Sequence, residues 1–139
     1  MLEALERTEG LLRHYGHVYE ANLAAIARAL FERDPKAACE AMDTEEWWDG
    51  GASVAAIDLA VDGGFTMQAR RDAQAFRQAL TENFGTMLAY GENNAAAEII
   101  VSQFEKWRES HVWAARKVAG DAAANTRTIS CTKNNNLEI

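Results

Sequence analysis

The chain has 139 residues, 48% of them hydrophobic, and a formal net charge of −7. That is the length of one domain with a globular content of apolar side chains. Phosphate recognition needs clustered Lys and Arg, so no nucleic-acid partner is expected, and two distant cysteines, Cys39 and Cys131, exclude a Cys-x-x-Cys zinc or redox site.

Abundant alanine and a single proline favour helix. Leu2, Leu5, Leu12 and Tyr15 share one side of a first helix over 2–15, which Gly16 stops. A second helix runs from His17 to Glu32, with Val18, Ala21, Ala25 and Ala29 as its inner row and Asn22, Ile26 and Leu30 flanking it. Asp34 then caps a short third helix, 35–43, that has Pro35 at its first position. Ala38, Cys39, Ala41 and Met42 are its residues for burial.

The stretch Thr44 to Ser53 is acidic, carries Trp47-Trp48 and ends in Gly50-Gly51. Ser53 is expected to cap a turn reaching Ile57, and Ile57–Val61 to be extended. Asp62-Gly63-Gly64 marks another turn. Thr66 caps a helix over 67–89, on which Phe76, Leu80, Phe84 and Leu88 recur every four residues beside Ala73 and Met87. Gly91 ends it. Asn93 caps a last helix, 94–118, where Ile100, Phe104, Trp107, His111, Ala114 and Val118 form a seam suited to another helix. From Gly120 the chain turns to Thr, Ser and Asn and reads as a mobile tail, 120–139. The expected architecture is mostly α: a single-domain bundle of about four to five helices over 1–119, with an irregular acidic loop.

No catalytic motif is present. The chain lacks Gly-x-Gly-x-x-Gly, the P-loop pattern, His-Glu-x-x-His and the Glu-x-x-His pairs of di-iron bundles. Gly51-Ala52-Ser53-Val54-Ala55 misses the second glycine of a hydrolase elbow. No cofactor and no catalytic residue are expected. The charged first residues are not those of a signal peptide. No uncharged run approaches the roughly 20 apolar residues that span a bilayer. A cytoplasmic protein with no membrane partner is the expectation.

Two constellations stand out. His14, His17 and Glu20, at spacings of three, would offer a divalent metal two imidazoles and a carboxylate on an unbroken helix. Gly16 lies between the histidines, and two polar residues at a helix end need no metal. His111, on the apolar seam, reads as a hydrogen-bonded core histidine. The second constellation is acidic. Between residues 35 and 65 seven acids stand against Lys36 alone. Asp43, Glu45, Glu46, Trp47, Trp48, Asp49 and Asp58 form a candidate contact surface, because acids steer cationic partners and Trp anchors interfaces. A solvated loop that aids solubility competes with that reading. Neighbouring side chains diverge, so one Trp is expected inside and the other exposed.

Leu11-Leu12-x-x-Tyr15-Gly16, then Trp47-Trp48-Asp49-Gly50-Gly51-Ala52-Ser53 and Ile57-Asp58, resemble a group of small bacterial helical proteins. Their marks are a Leu-Leu-x-x-x-Gly opening and a Gly-Gly-x-x-Ser loop followed by Asp. Here Ser53 lies closer to Gly51, and Asp58 further from Ser53, than that pattern has them. The resemblance spans roughly the first hundred residues. It carries no activity; it implies a compact bacterial protein of the kind found beside toxins. The function expected is an inhibitory binding protein, such as an immunity protein facing a basic toxin domain. The alternatives are a small helical metal- or ligand-binding enzyme using His14, His17 and Glu20, and a non-catalytic homodimer built through Trp113.

Overall fold

A computed structural model describes residues 1–59 and 66–109. Helix α1 spans Leu2–His14, α2 Val18–Arg33, α3 Pro35–Met42 and α4 Glu45–Trp48. A 3-10 turn follows at Val54–Ala56, then α5 at Met67–Ala89. A last helix, α6, begins at 95 and continues to 109, where the described residues end. There is no strand among the described residues; past the 3-10 turn Ile57 is extended, and 57–59 belong to no helix. The all-α class expected from composition is therefore the class observed.

The helix boundaries follow from local chemistry. Asp34 accepts the backbone N–H groups of Lys36 and Ala37 at 3.2 and 3.3 Å, and Pro35, which has no N–H to satisfy, opens α3. Thr66 Oγ1 accepts Ala69 N–H at 3.0 Å and starts α5. Gly16 and Gly91 close α1 and α5 in the same way. With φ near +83° and +84°, each turns the chain left-handed, which costs glycine little. The N–H groups of Gly16 and His17 then reach Arg13 and Leu12 carbonyls, while those of Gly91 and Glu92 reach Leu88 and Met87. This double bond pattern satisfies carbonyls that a helix end leaves open. Asn94, not Asn93, caps α6, accepting Ala97 N–H at 3.0 Å.

One compact unit runs from Met1 to Phe104. Within it α1 packs on α2 and α5, and α3 on α2 and α5. Leu5, Leu12, Met42, Trp48, Leu59, Phe76, Leu80 and Met87 are among the side chains at its centre. Arg7 pairs with Glu82 across α1 and α5, and Arg28 of α2 reaches Glu9 of α1 at 3.1 Å. The expected inner row of α2 needs correction. Ala21, Ala24 and Ala27 are buried, while Val18 and Ala29 are exposed and Ala25 is half-buried. Apolar residues surround α2, so periodicity could not choose a face; the side with the smallest side chains admits the closest approach of α1. Leu88 likewise is exposed instead of buried.

On α6 the packed positions are Ala97 and Val101, with Ile100 and Phe104 half-buried. Trp107, 46% exposed, lies beyond Phe104, where the first compact unit ends. His111, Trp113, Ala114, Val118, Cys131, the 62–64 turn, the expected domain end at 119 and the 120–139 tail lie outside the described residues.

Candidate functional site

The acidic stretch folds into one short helix held from behind. Glu45, Glu46, Trp47 and Trp48 form α4, and both indoles are buried, at 2% and 0% exposure. The expected split, one Trp in and one out, is thus corrected. A helical turn this short places neighbouring positions only about 100° apart, and the enclosing elements receive both rings. Trp48 packs edge-on to Phe84 of α5, ring centres 5.9 Å apart, and lies 6.3 Å from Trp47. Its Nε1–H donates to the Met42 carbonyl at 2.9 Å, which gives the last turn of α3 a partner. Ser53 does not cap the following turn with its side chain. Its hydroxyl donates instead to the Gly50 carbonyl at 2.8 Å, closing the loop behind α4.

Against this apolar base the acids face water. Glu45, Glu46 and Asp49 are all exposed. Glu46 accepts the Tyr19 hydroxyl at 2.9 Å, which joins α4 to the start of α2. That hydrogen bond, with the carboxylate charge behind it, holds the Tyr19 hydroxyl above its ordinary pKa. Asp58 is exposed beyond the 3-10 turn.

Asp43 is turned elsewhere. It is half-buried and accepts Asn94 Nδ2–H at 2.8 Å, tying the end of α3 to the start of α6. Glu92 shares this corner. Partial desolvation raises its pKa first; the hydrogen bond to Asp43 and the charges of Asp43 and Glu40 add to this, and Lys36 opposes it. The folded chain therefore binds this proton more tightly than the unfolded chain does. Stability contributed by Glu92 falls as pH rises from its ordinary value of 4.5. Glu92→Gln is expected to raise the thermal midpoint at neutral pH, and the gain should vanish in acid, where wild-type Glu92 is protonated. Paired melts at the two pH values check this.

The histidine constellation does not assemble. His14 ends α1, His17 stands just before α2 without a side-chain capping bond, and Glu20 lies in the first turn of α2, with the left-handed Gly16 between the histidines. Among the described residues no three His, Cys, Asp or Glu side chains converge to hold a metal ion. Cys39 is a free, buried thiol whose pKa burial raises, the environment of a structural and not a reactive cysteine. No helix of the described residues is long and apolar enough to cross a membrane.

Tyr19, Glu92 and Asn94 were not singled out by sequence. The bonds from Tyr19 to Glu46 and from Asn94 to Asp43 cross 27 and 51 positions. Only tertiary packing brings such residues together, and no local pattern announces it. Compared with known proteins, the chain matches no family model, no curated protein and no solved structure.

Proposed function

We propose that this chain is an inhibitory binding protein of the immunity-protein kind, which neutralises a basic bacterial toxin domain through the acids of α4. The observation that carries the reading is a charged turn on a fixed base. Glu45, Glu46 and Asp49 project from a helix whose two tryptophans are buried and whose Trp48 is hydrogen-bonded to α3. A preorganised carboxylate cluster loses little freedom on binding, and its field raises the rate of encounter with a cationic surface. In this reading the tryptophans act from behind the contact surface, as its support. The resemblance to small helical proteins found beside toxins supplies the class of partner.

Growth rescue tests the proposal. The chain is co-expressed with a toxin domain encoded by a neighbouring gene, and rescue is expected. The double change Glu45→Lys with Glu46→Lys should abolish rescue and slow association by about tenfold or more at low salt, while the chain, short of the Tyr19–Glu46 bond, keeps its helical spectrum. Added salt should shrink the difference. Full rescue by the doubly reversed variant would remove α4 from the interface, and absence of rescue by the wild-type chain would remove the proposed function.

A further inference from the structure

The outward face of α2 is apolar where a surface helix ordinarily carries charge. Val18, Tyr19, Asn22, Ile26, Ala29 and Arg33 fall within one arc of about 100° around its axis. All six are exposed, Val18 and Ile26 at 56% and Tyr19 at 63%. The opposite side, through Ala21, Ala24 and Ala27, is the one that faces the core. Isolated exposed hydrophobics are ordinary, but a continuous row along a helix marks a contact surface.

The charges at the two ends of this row are opposite. At the N-terminal end, the Tyr19 hydroxyl is bonded to Glu46, beside exposed Glu45 and Asp49. At the C-terminal end stands Arg33, which makes no ion pair among the described residues. Asp34 next to it is engaged with the start of α3. Tyr19 and Arg33 lie seven positions on either side of Ile26, about 10 Å each way along the axis.

We infer that the occupant of this face is a second copy of the chain, its α2 laid antiparallel on the first with Ile26 at the two-fold axis. That register sets Arg33 of each copy opposite Tyr19 and Glu46 of the other, so one arrangement forms two symmetric ion pairs around an apolar strip. Self-complementarity of this kind is what an isologous two-fold contact requires. The reversed direction also separates the two acidic ends, which a parallel pairing would oppose. A single pair of helices this short lies at the low end of interface sizes, below about 1,200 Å², so the dimer exchanges with monomer. The inference does not rest on the toxin-binding proposal but shares Glu46 with it; the dimer leaves Glu45 and Asp49 facing water, and Ile26→Glu and Arg33→Glu, which spare all three acids, test the dimer alone.

Sedimentation velocity of the full chain over a concentration series is the test. Wild-type protein is expected to shift from one chain mass to two as concentration rises. Ile26→Glu opposes two carboxylates at the axis and should weaken association by about a hundredfold or more, with an unchanged helical spectrum. Arg33→Glu should also weaken it. Adding Glu46→Arg to Arg33→Glu should restore the dimer, because the pairs re-form with signs exchanged. A wild-type chain that stays monomeric throughout overturns the inference, including the case where Ile26→Glu lowers its melting point because the chain covers its own α2. A dimer indifferent to Ile26→Glu also overturns it, and failure of the charge exchange to restore association overturns the antiparallel register.

Discussion

Replacing Trp48 with alanine is expected to lower stability by about 3–5 kcal/mol, the usual cost of deleting a fully buried large aromatic. Trp48 is wholly buried, packs edge-on to Phe84 and donates to the Met42 carbonyl. The deletion removes packing between α4 and α5 and leaves the carbonyl without its partner. Whole domains are stable by only about 5–15 kcal/mol, so at least about a fifth of the margin is at stake. Trp48→Phe separates the two contributions. It keeps a ring against Phe84 and loses the hydrogen bond, and should cost about 1–3 kcal/mol. Urea titrations of the two variants measure both. A Trp48→Ala midpoint close to wild type would mean that α4 is not anchored by this ring. The rigid seat argued for Glu45 and Glu46 would go with it.

Asn83→Asp should be as damaging at neutral pH, with a different signature. Asn83 is fully buried on α5, and its Nδ2–H donates to Thr8 Oγ1 at 3.3 Å. Thr8 spends its own proton on the Ala4 carbonyl at 2.7 Å, so it can only accept from Asn83. A carboxylate there would meet the Thr8 lone pairs on one side, while the other side, where Asn83 Oδ1 now sits buried, offers it no hydrogen bond among the described residues. An uncompensated buried charge costs about 3–5 kcal/mol. The carboxyl takes up a proton to escape, so its folded pKa rises above the ordinary value near 3.9. The folded variant then binds a proton that the unfolded one releases, and stability falls as pH rises above about 4. The deficit relative to wild type should be large at pH 7 and small in acid. A deficit that ignores pH would mean that water reaches this position.

How far the fold could be read from sequence depended on whether the signal was local. Asp34-Pro35, Thr66, Gly16 and Gly91 act on backbone groups within a few residues, and each ends or begins a helix where expected. The inner face of α5 was legible through Phe76, Leu80 and Phe84, because large side chains recur against polar ones. That of α2 was not, because alanine, valine and isoleucine surround the helix and size, not polarity, selects the buried row. The same ambiguity hid the exposure of Val18 and Ile26.

The acidic stretch was visible as composition, but its construction was not. Whether Trp47 points in or out depends on tertiary packing, here on how α4 lies against the 3-10 turn and on the Trp48 ring beside it. The Ser53 hydroxyl could accept from the N–H groups ahead of it or donate to a carbonyl behind it, and it donates to Gly50. Asn93 and Asn94 were equally suited to cap α6; Asn94 does so while donating to Asp43, a group 51 positions away. Each of these choices is decided by a neighbour that arrives from elsewhere in the chain.

The left-handed turn at Gly16 has a consequence for the order of folding. It joins α1 to α2 through three residues, 15–17, and those two helices pack on each other. Contacts between segments so near in the chain close small loops and form early. The α1–α2 hairpin is thus the template that can assemble first, and α5, which reaches α1 only across a long stretch of chain, joins afterwards. Slowing the hairpin by stiffening Gly16 would delay everything that follows, whereas weakening Phe84 would chiefly hasten unfolding.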